Sequence, residues 1–148
     1  MDIYIWLVGD SFYVPSMGLT PRGFQRVVEP VLSCERGQRK KLASILESAL
    51  HARPVPAEDW VPSDSKKVPL LARMAGLRSY REFAAHARGW IVELDHGAGR
   101  VIPVAFSRDG DYGPVLRLSE VHAVATVRSL ADRLCELSDG ASPPAVKK

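Results

Sequence analysis

Cysteine is scarce in this chain: only Cys34 and Cys135 occur. They share no Cys-x-x-Cys spacing and have no histidine pattern nearby, so neither a zinc site nor a disulfide framework is indicated. A reducing cytoplasm is the simplest home for such a protein. Aromatic residues make up only 7% and are not interleaved with basic ones, unlike the stacking platforms that hold single-stranded nucleic acid. Neither sign of charge dominates, because 20 Lys and Arg face 17 Asp and Glu and leave a net +3. That excess is too small to mark a nucleic-acid binder by itself. Long apolar runs are missing too. The opening stretch, residues 1–8, is about half a bilayer span and lacks a basic n-region, so a buried strand is expected there.

Catalytic signatures are equally sparse. Neither GxxxxGK[ST] nor GxGxxG occurs, and Asp10-Ser11 lacks the glycine-flanked turn of a hydrolase nucleophile. The histidines, His51, His86, His96 and His122, stand at no ligand spacing, so no metal and no cofactor are expected. His96, beside Asp95 in a glycine-rich turn, is either a presented base or a polar turn residue. Asp109-Gly110-Asp111 lacks the remaining ligands of a calcium loop.

What remains is a chain of 148 residues, 46% hydrophobic, the size and composition of one globular domain. Residues 3–8 and 11–16 are β-prone and joined by Gly9-Asp10, a hairpin. A loop is expected over 17–23 and an extended segment over 24–32, where Pro30 fits only an edge or a bulge. From about Gly37 to His51 the apolar Leu42, Ile45, Leu46, Ala49 and Leu50 form one helical stripe. Residues 53–69 carry Pro54, Pro56, Pro62 and Pro69, which impose an extended connector. Residues 70–75 read as a short helix stopped by Gly76 with Leu77 behind it. Ser79-Tyr80-Arg81-Glu82 is a capping box opening a second helix to about Arg88. Residues 89–94 and 100–106 flank a glycine turn and form another hairpin. A strand at 115–118 follows a polar loop at 107–111, and Thr126 caps a last helix with Val127, Leu130, Ala131, Leu134 and Leu137 inward. Residues 139–148 are expected to be a disordered tail.

The chain thus states a pattern twice. Leu42, Ala43, Leu46 and Pro15 match Leu130, Ala131, Leu134 and Pro103 at one constant offset of 88. Residues 3–52 and 89–138 are either a pseudo-repeat or two helices with generic spacing. The fold class predicted is α+β, mainly an antiparallel sheet from two hairpin-strand-helix halves, with additional short helices between them over 70–88.

Two charged clusters are candidate contact sites. Arg36, Arg39, Lys40 and Lys41 crowd the start of a helix, where the macrodipole disfavours cations, so they form either an anion-binding site or a solvated basic face. Glu58, Asp59 and Trp60 sit in the stiff connector as an anchor for a partner, unless Trp60 plugs the core. Asp95, Asp109, Asp111 and Tyr112 are further candidates in the polar loops.

Residues 70–83, Leu70-Leu71-Ala72-Arg73-Met74-Ala75-Gly76-Leu77-Arg78-Ser79-Tyr80-Arg81-Glu82-Phe83, resemble the immunity proteins of bacterial contact-dependent growth inhibition systems. The likeness extends through Gly23-Phe24, Glu29-Pro30-Val31, Pro54-Val55-Pro56 and Ile102-Pro103, and spans roughly residues 3–137. It implies one immunity-type domain over 1–138, a cytoplasmic and non-catalytic inhibitor. Its partner would be the cognate toxin C-terminal domain, often a nuclease. Nuclease immunity proteins are commonly acidic, whereas this chain has a pI near 9.0. The competing reading is a small nucleic-acid-binding protein or nuclease that uses the basic cluster at 36–41.

Overall fold

A computed structural model describes residues 2–59, 70–95, 98–106, 112–114, 122–124 and 126–139. The first strand, β1 (Asp2–Val8), determines its layering. It is apolar or aromatic from Ile3 onward because both faces are covered: Ile3, Ile5 and Leu7 enter one core, while Tyr4, Trp6 and Val8 face the other. Side chains alternate across a strand, so a continuous apolar run belongs at the centre of a sheet with layers on both sides.

The remaining strands are β2 (Ser11–Leu19), β3 (Gln25–Glu35), β4 (Val55–Pro56), β5 (Ala87–Asp95), β6 (Ala98–Phe106), β7 (Tyr112–Pro114) and β8 (His122–Val124). They form one sheet ordered β3-β2-β1-β5-β6-β7, with β4 beside β2 and β8 beside β6. Among the described residues all pairings are antiparallel except that of β4 with β2. The helices are α1 (Arg39–His51), α2 (Leu70–Met74), α3 (Tyr80–His86) and α4 (Val127–Asp139). Leu42, Ile45 and Leu46 of α1 and Leu130, Ala131, Leu134 and Cys135 of α4 share the core with Ile5, Phe12 and Val92. Leu71, Ala72, Phe83 and Ala84 of α2 and α3 cover the opposite face around Trp6, Ile102 and Phe106. The class is α+β, as the sequence indicates.

Order along the sheet is symmetric about the β1/β5 seam: β3-β2-β1 on one side, β5-β6-β8 on the other. Each half ends in a helix of 13 residues, and Arg39 and Val127, where these helices begin, stand at the 88-residue offset of the leucines.

Several boundaries move. β2 continues to Leu19 because Gly18 and Leu19 pair with both β3 and β4, so the loop expected at 17–23 contracts to residues 20–24. α3 passes directly into β5 at Ala87, which is buried and pairs with Val8; the strand was expected from residue 89. β5 and β6 pair as far as Asp95 and Ala98, placing Gly99 in a strand; the glycine turn expected between the two strands lies partly outside the described residues. Asp139 belongs to α4. The strand expected at 115–118, the loop at 107–111, most of the connector and the tail at 140–148 lie outside the described residues. Pro30 occupies a bulge on an edge strand: Pro15 pairs with Val31 and Ser16 with Val28, so Glu29 and Pro30 are extra. Their peptide bond is cis.

Candidate protein-docking site

β1 and β2 pair only where Trp6, Leu7 and Val8 meet Tyr13, Phe12 and Ser11. Beyond Tyr13, β2 stays with β3 and gains β4 only at Gly18 and Leu19. Where β2 has left β1, a groove of about 220 Å³ opens beside the last turn of α1. Ile3, Val14, Met17, Leu32, Ala49 and Pro54 supply much of its lining. Pro15 and Pro30, on adjoining strands, also line it, and the Ser16 hydroxyl donates to the Pro30 carbonyl at 2.7 Å, holding the bulge against β2. Among the described residues Arg53 is the one charged lining residue; it is exposed and has no ion pair with any of them.

The outer corner of the same β2–β3–β4 region carries more apolar surface. Thr20 is buried and ties the loop: its amide donates to the Phe24 carbonyl at 2.9 Å, and its hydroxyl accepts the Phe24 amide at 3.1 Å. Gly23 supplies the positive φ of 86° that closes this turn. The result holds the Phe24 ring outward, 67% exposed, near the exposed Leu19 and Val55. The connector is fastened here. The Ala57 amide donates to the Leu19 carbonyl at 3.0 Å, Arg26 donates to the Glu58 carbonyl at 2.9 Å, and Arg22 lies 4.0 Å from Asp59. One Asp59 oxygen is buried and accepts no hydrogen bond from the described residues.

Glu58 and Asp59 therefore stand at the corner beside an apolar patch, whereas Trp60, Asp109 and Asp111 lie outside the described residues. Asp95 is placed at the far end of β5 opposite Ala98, and Tyr112 in β7 opposite Phe106. Sequence reasoning missed Leu19, Phe24, Leu32, Arg53 and Val55. A usable signal did exist, since Pro15 and Pro30 each remove a backbone donor and mark where pairing must be interrupted.

At the other end of α1 the basic cluster divides. The carboxyl end of α4 lies beside the residues that lead into α1. Arg36 donates to the Ser138 carbonyl at 3.2 Å and lies 3.6 Å from Asp10 and 4.0 Å from Asp139. Arg39 donates to Asp132 at 3.2 Å. Arg36 thus serves the carboxyl end of α4, while Arg39 pairs with a carboxylate midway along that helix. Lys40 and Lys41 remain exposed on the first turn. Among the described residues no group of three His, Cys, Asp or Glu side chains is placed to hold a metal, and no helix is long and apolar enough to cross a membrane.

No protein-family model and no curated protein matches the sequence. Solved structures do match. A chain of the CdiA-CT/CdiI toxin and immunity complex from Yersinia pseudotuberculosis aligns at a TM-score of 0.63 with 12% identity, covering 93% of this chain and 95% of that one. The fold is shared with a chain of a toxin and immunity complex. A protein of unknown function from Neisseria meningitidis aligns at 0.61 with 9% identity, over 94% and 95%. At these identities the likeness is one of fold. It agrees with the resemblance carried by Gly76, Ser79-Tyr80 and Ile102-Pro103, because a CdiI-type fold is the architecture that the resemblance implies.

Proposed function

We propose that this chain is the immunity protein of a bacterial contact-dependent growth inhibition system. It binds the C-terminal toxin domain of its cognate effector in the cytoplasm and neutralises it without chemistry of its own. The observation that carries this reading is the fold shared, over nearly the whole of both chains, with a chain of the CdiA-CT/CdiI complex. The surface described above supports it, since exposed Phe24, Leu19 and Val55 bordered by Glu58 and Asp59 have the make-up of a protein interface, an apolar centre inside a polar rim. The two hairpin-strand-helix halves serve as platform, and the unrepeated residues 53–88 carry much of the partner choice. A nuclease is the toxin class favoured. With a pI near 9.0, the chain complements a toxin surface less basic than a nucleic-acid cleft, or one away from it.

The reading predicts that a large effector is encoded beside this gene, and it is tested by producing the C-terminal domain of that effector. The expected result is growth arrest by that domain alone, rescue on co-expression, and a one-to-one complex on gel filtration. Arrest that persists despite folded, abundant immunity chain would refute it. The pairing of Arg36 and Arg39 within the molecule takes two of four cations away from the competing phosphate-binding reading.

A further inference from the structure

We infer that the groove between β2, β3 and the last turn of α1 receives one large apolar side chain followed closely by a carboxylate, presented by a loop of the protein partner. This deepens the proposed function and rests on its premise that the partner is a protein. At about 220 Å³ the groove is smaller than the roughly 300 to 1,000 Å³ of a small-molecule site. It is open and apolar, and Leu32 on its rim is 41% exposed, the form of a pocket that takes a single interface anchor. Charge specifies what must accompany that anchor. Arg22, Arg26, Arg36 and Arg39 are each held by an acid or a carbonyl of this chain. Among the described residues Arg53 lines the groove with no such partner, and no acid shares the lining with it. A guanidinium beside an apolar pocket gains most from a carboxylate that it can grip with two parallel hydrogen bonds. A cationic residue following the anchor would meet it unfavourably.

The test is calorimetric titration of the neighbouring effector's toxin domain with the wild-type chain, Leu32→Asp, Arg53→Glu, Arg53→Lys and Arg128→Glu. Arg128 is exposed on α4, so its variant reproduces the change in net charge away from the groove. Leu32→Asp and Arg53→Glu should each weaken binding about 30-fold or more, a hot-spot loss. Arg53→Lys should weaken it less, and Arg128→Glu should stay within about threefold of wild type. Residues 32 and 53 are exposed, and unchanged melting temperatures would exclude misfolding as the cause. If wild type binds and Arg53→Glu binds within threefold of it, the carboxylate is wrong and the inference falls. It falls equally if Leu32→Asp is neutral. Failure of the wild-type chain to bind refutes the proposed function instead.

Discussion

Single residues explain how so few aromatics suffice. Trp6 is fully buried, with ring centroids 5.2 Å from Phe83 and 5.6 Å from Phe106, and its indole lies over Gly89, its cross-strand partner. A Cβ at position 89 would overlap that ring, so Gly89→Ala should cost about 3 kcal/mol or more, read from a urea midpoint. Gly9→Ala meets no atoms but must hold a φ of 60°, and should cost about 1 kcal/mol. Equal losses at the two positions would contradict the packing argument. The cysteines make a second residue-scale prediction. Burial pushes the thiols of Cys34 and Cys135 upward from their ordinary range, with nearby Lys41 and Arg39 opposing it. The folded state then keeps protons that the unfolded chain releases, so stability is fully present below the unfolded thiol pKa, about 8.5, and is lost as pH rises beyond it. Replacing both with alanine should flatten the fall in stability above the unfolded thiol pKa of about 8.5, and an unchanged slope would assign that fall to other groups. Burial of each cysteine was not readable from spacing; their common core was formed only when β3 and α4 met on one face of the sheet.

Elements were legible wherever the signal was local. Gly76 takes a φ of 76°, its amide donates to the Arg73 carbonyl at 3.1 Å, and the Leu77 amide donates to that of Ala72 at 2.7 Å, the paired bonds of a glycine-terminated helix. The Ser79 hydroxyl accepts the Glu82 amide at 3.1 Å, and Glu82 reaches back to the Arg78 amide at 2.8 Å, one residue before the cap itself. Ser79→Ala should therefore cost about 1 kcal/mol, measurable by thermal melts; a neutral result would show that tertiary packing alone positions α3. Thr126 caps α4 in the same manner through Ser129. Where no residue breaks the chain locally, boundaries shift, as at His86 and Ala87, where pairing with Val8 overrides helix propensity. Some terminations are supplied from a distance. Arg88 donates to the Leu137 carbonyl at 2.8 Å and lies 4.9 Å above the Trp90 ring, closing α4 with a cation from β5. Arg88→Met keeps the stem but removes both interactions, and should lower stability by about 1 to 3 kcal/mol. No reading of residues 127–139 alone could have found that cap.

At the scale of the whole molecule, the candidate site was harder to read than the fold because a groove is a relation between elements. Leu32, Arg53 and Val14 look ordinary in sequence and acquire meaning only where β2 parts from β1 and α1 ends beside the gap. The same non-local wiring governs how the molecule unfolds. β1 and β5 pair along their length at the seam between the halves, from Asp2 with Glu93 to Val8 with Ala87. Leu46 of α1 and Leu134 of α4, both fully buried, belong to one continuous core that includes Ile5 and Val92. Arg36 ties the β1–β2 turn and the start of α1 to the end of α4. Neither half can leave without exposing apolar surface of the other, so two similar halves should behave as one cooperative unit. Leu46→Ala and Leu134→Ala should each cost about 2 to 5 kcal/mol and should lower the same transition, with calorimetric and van't Hoff enthalpies equal in both variants. A second transition in either variant, or a midpoint for one half that ignores a substitution in the other, would mean that the seam is a contact between independent modules.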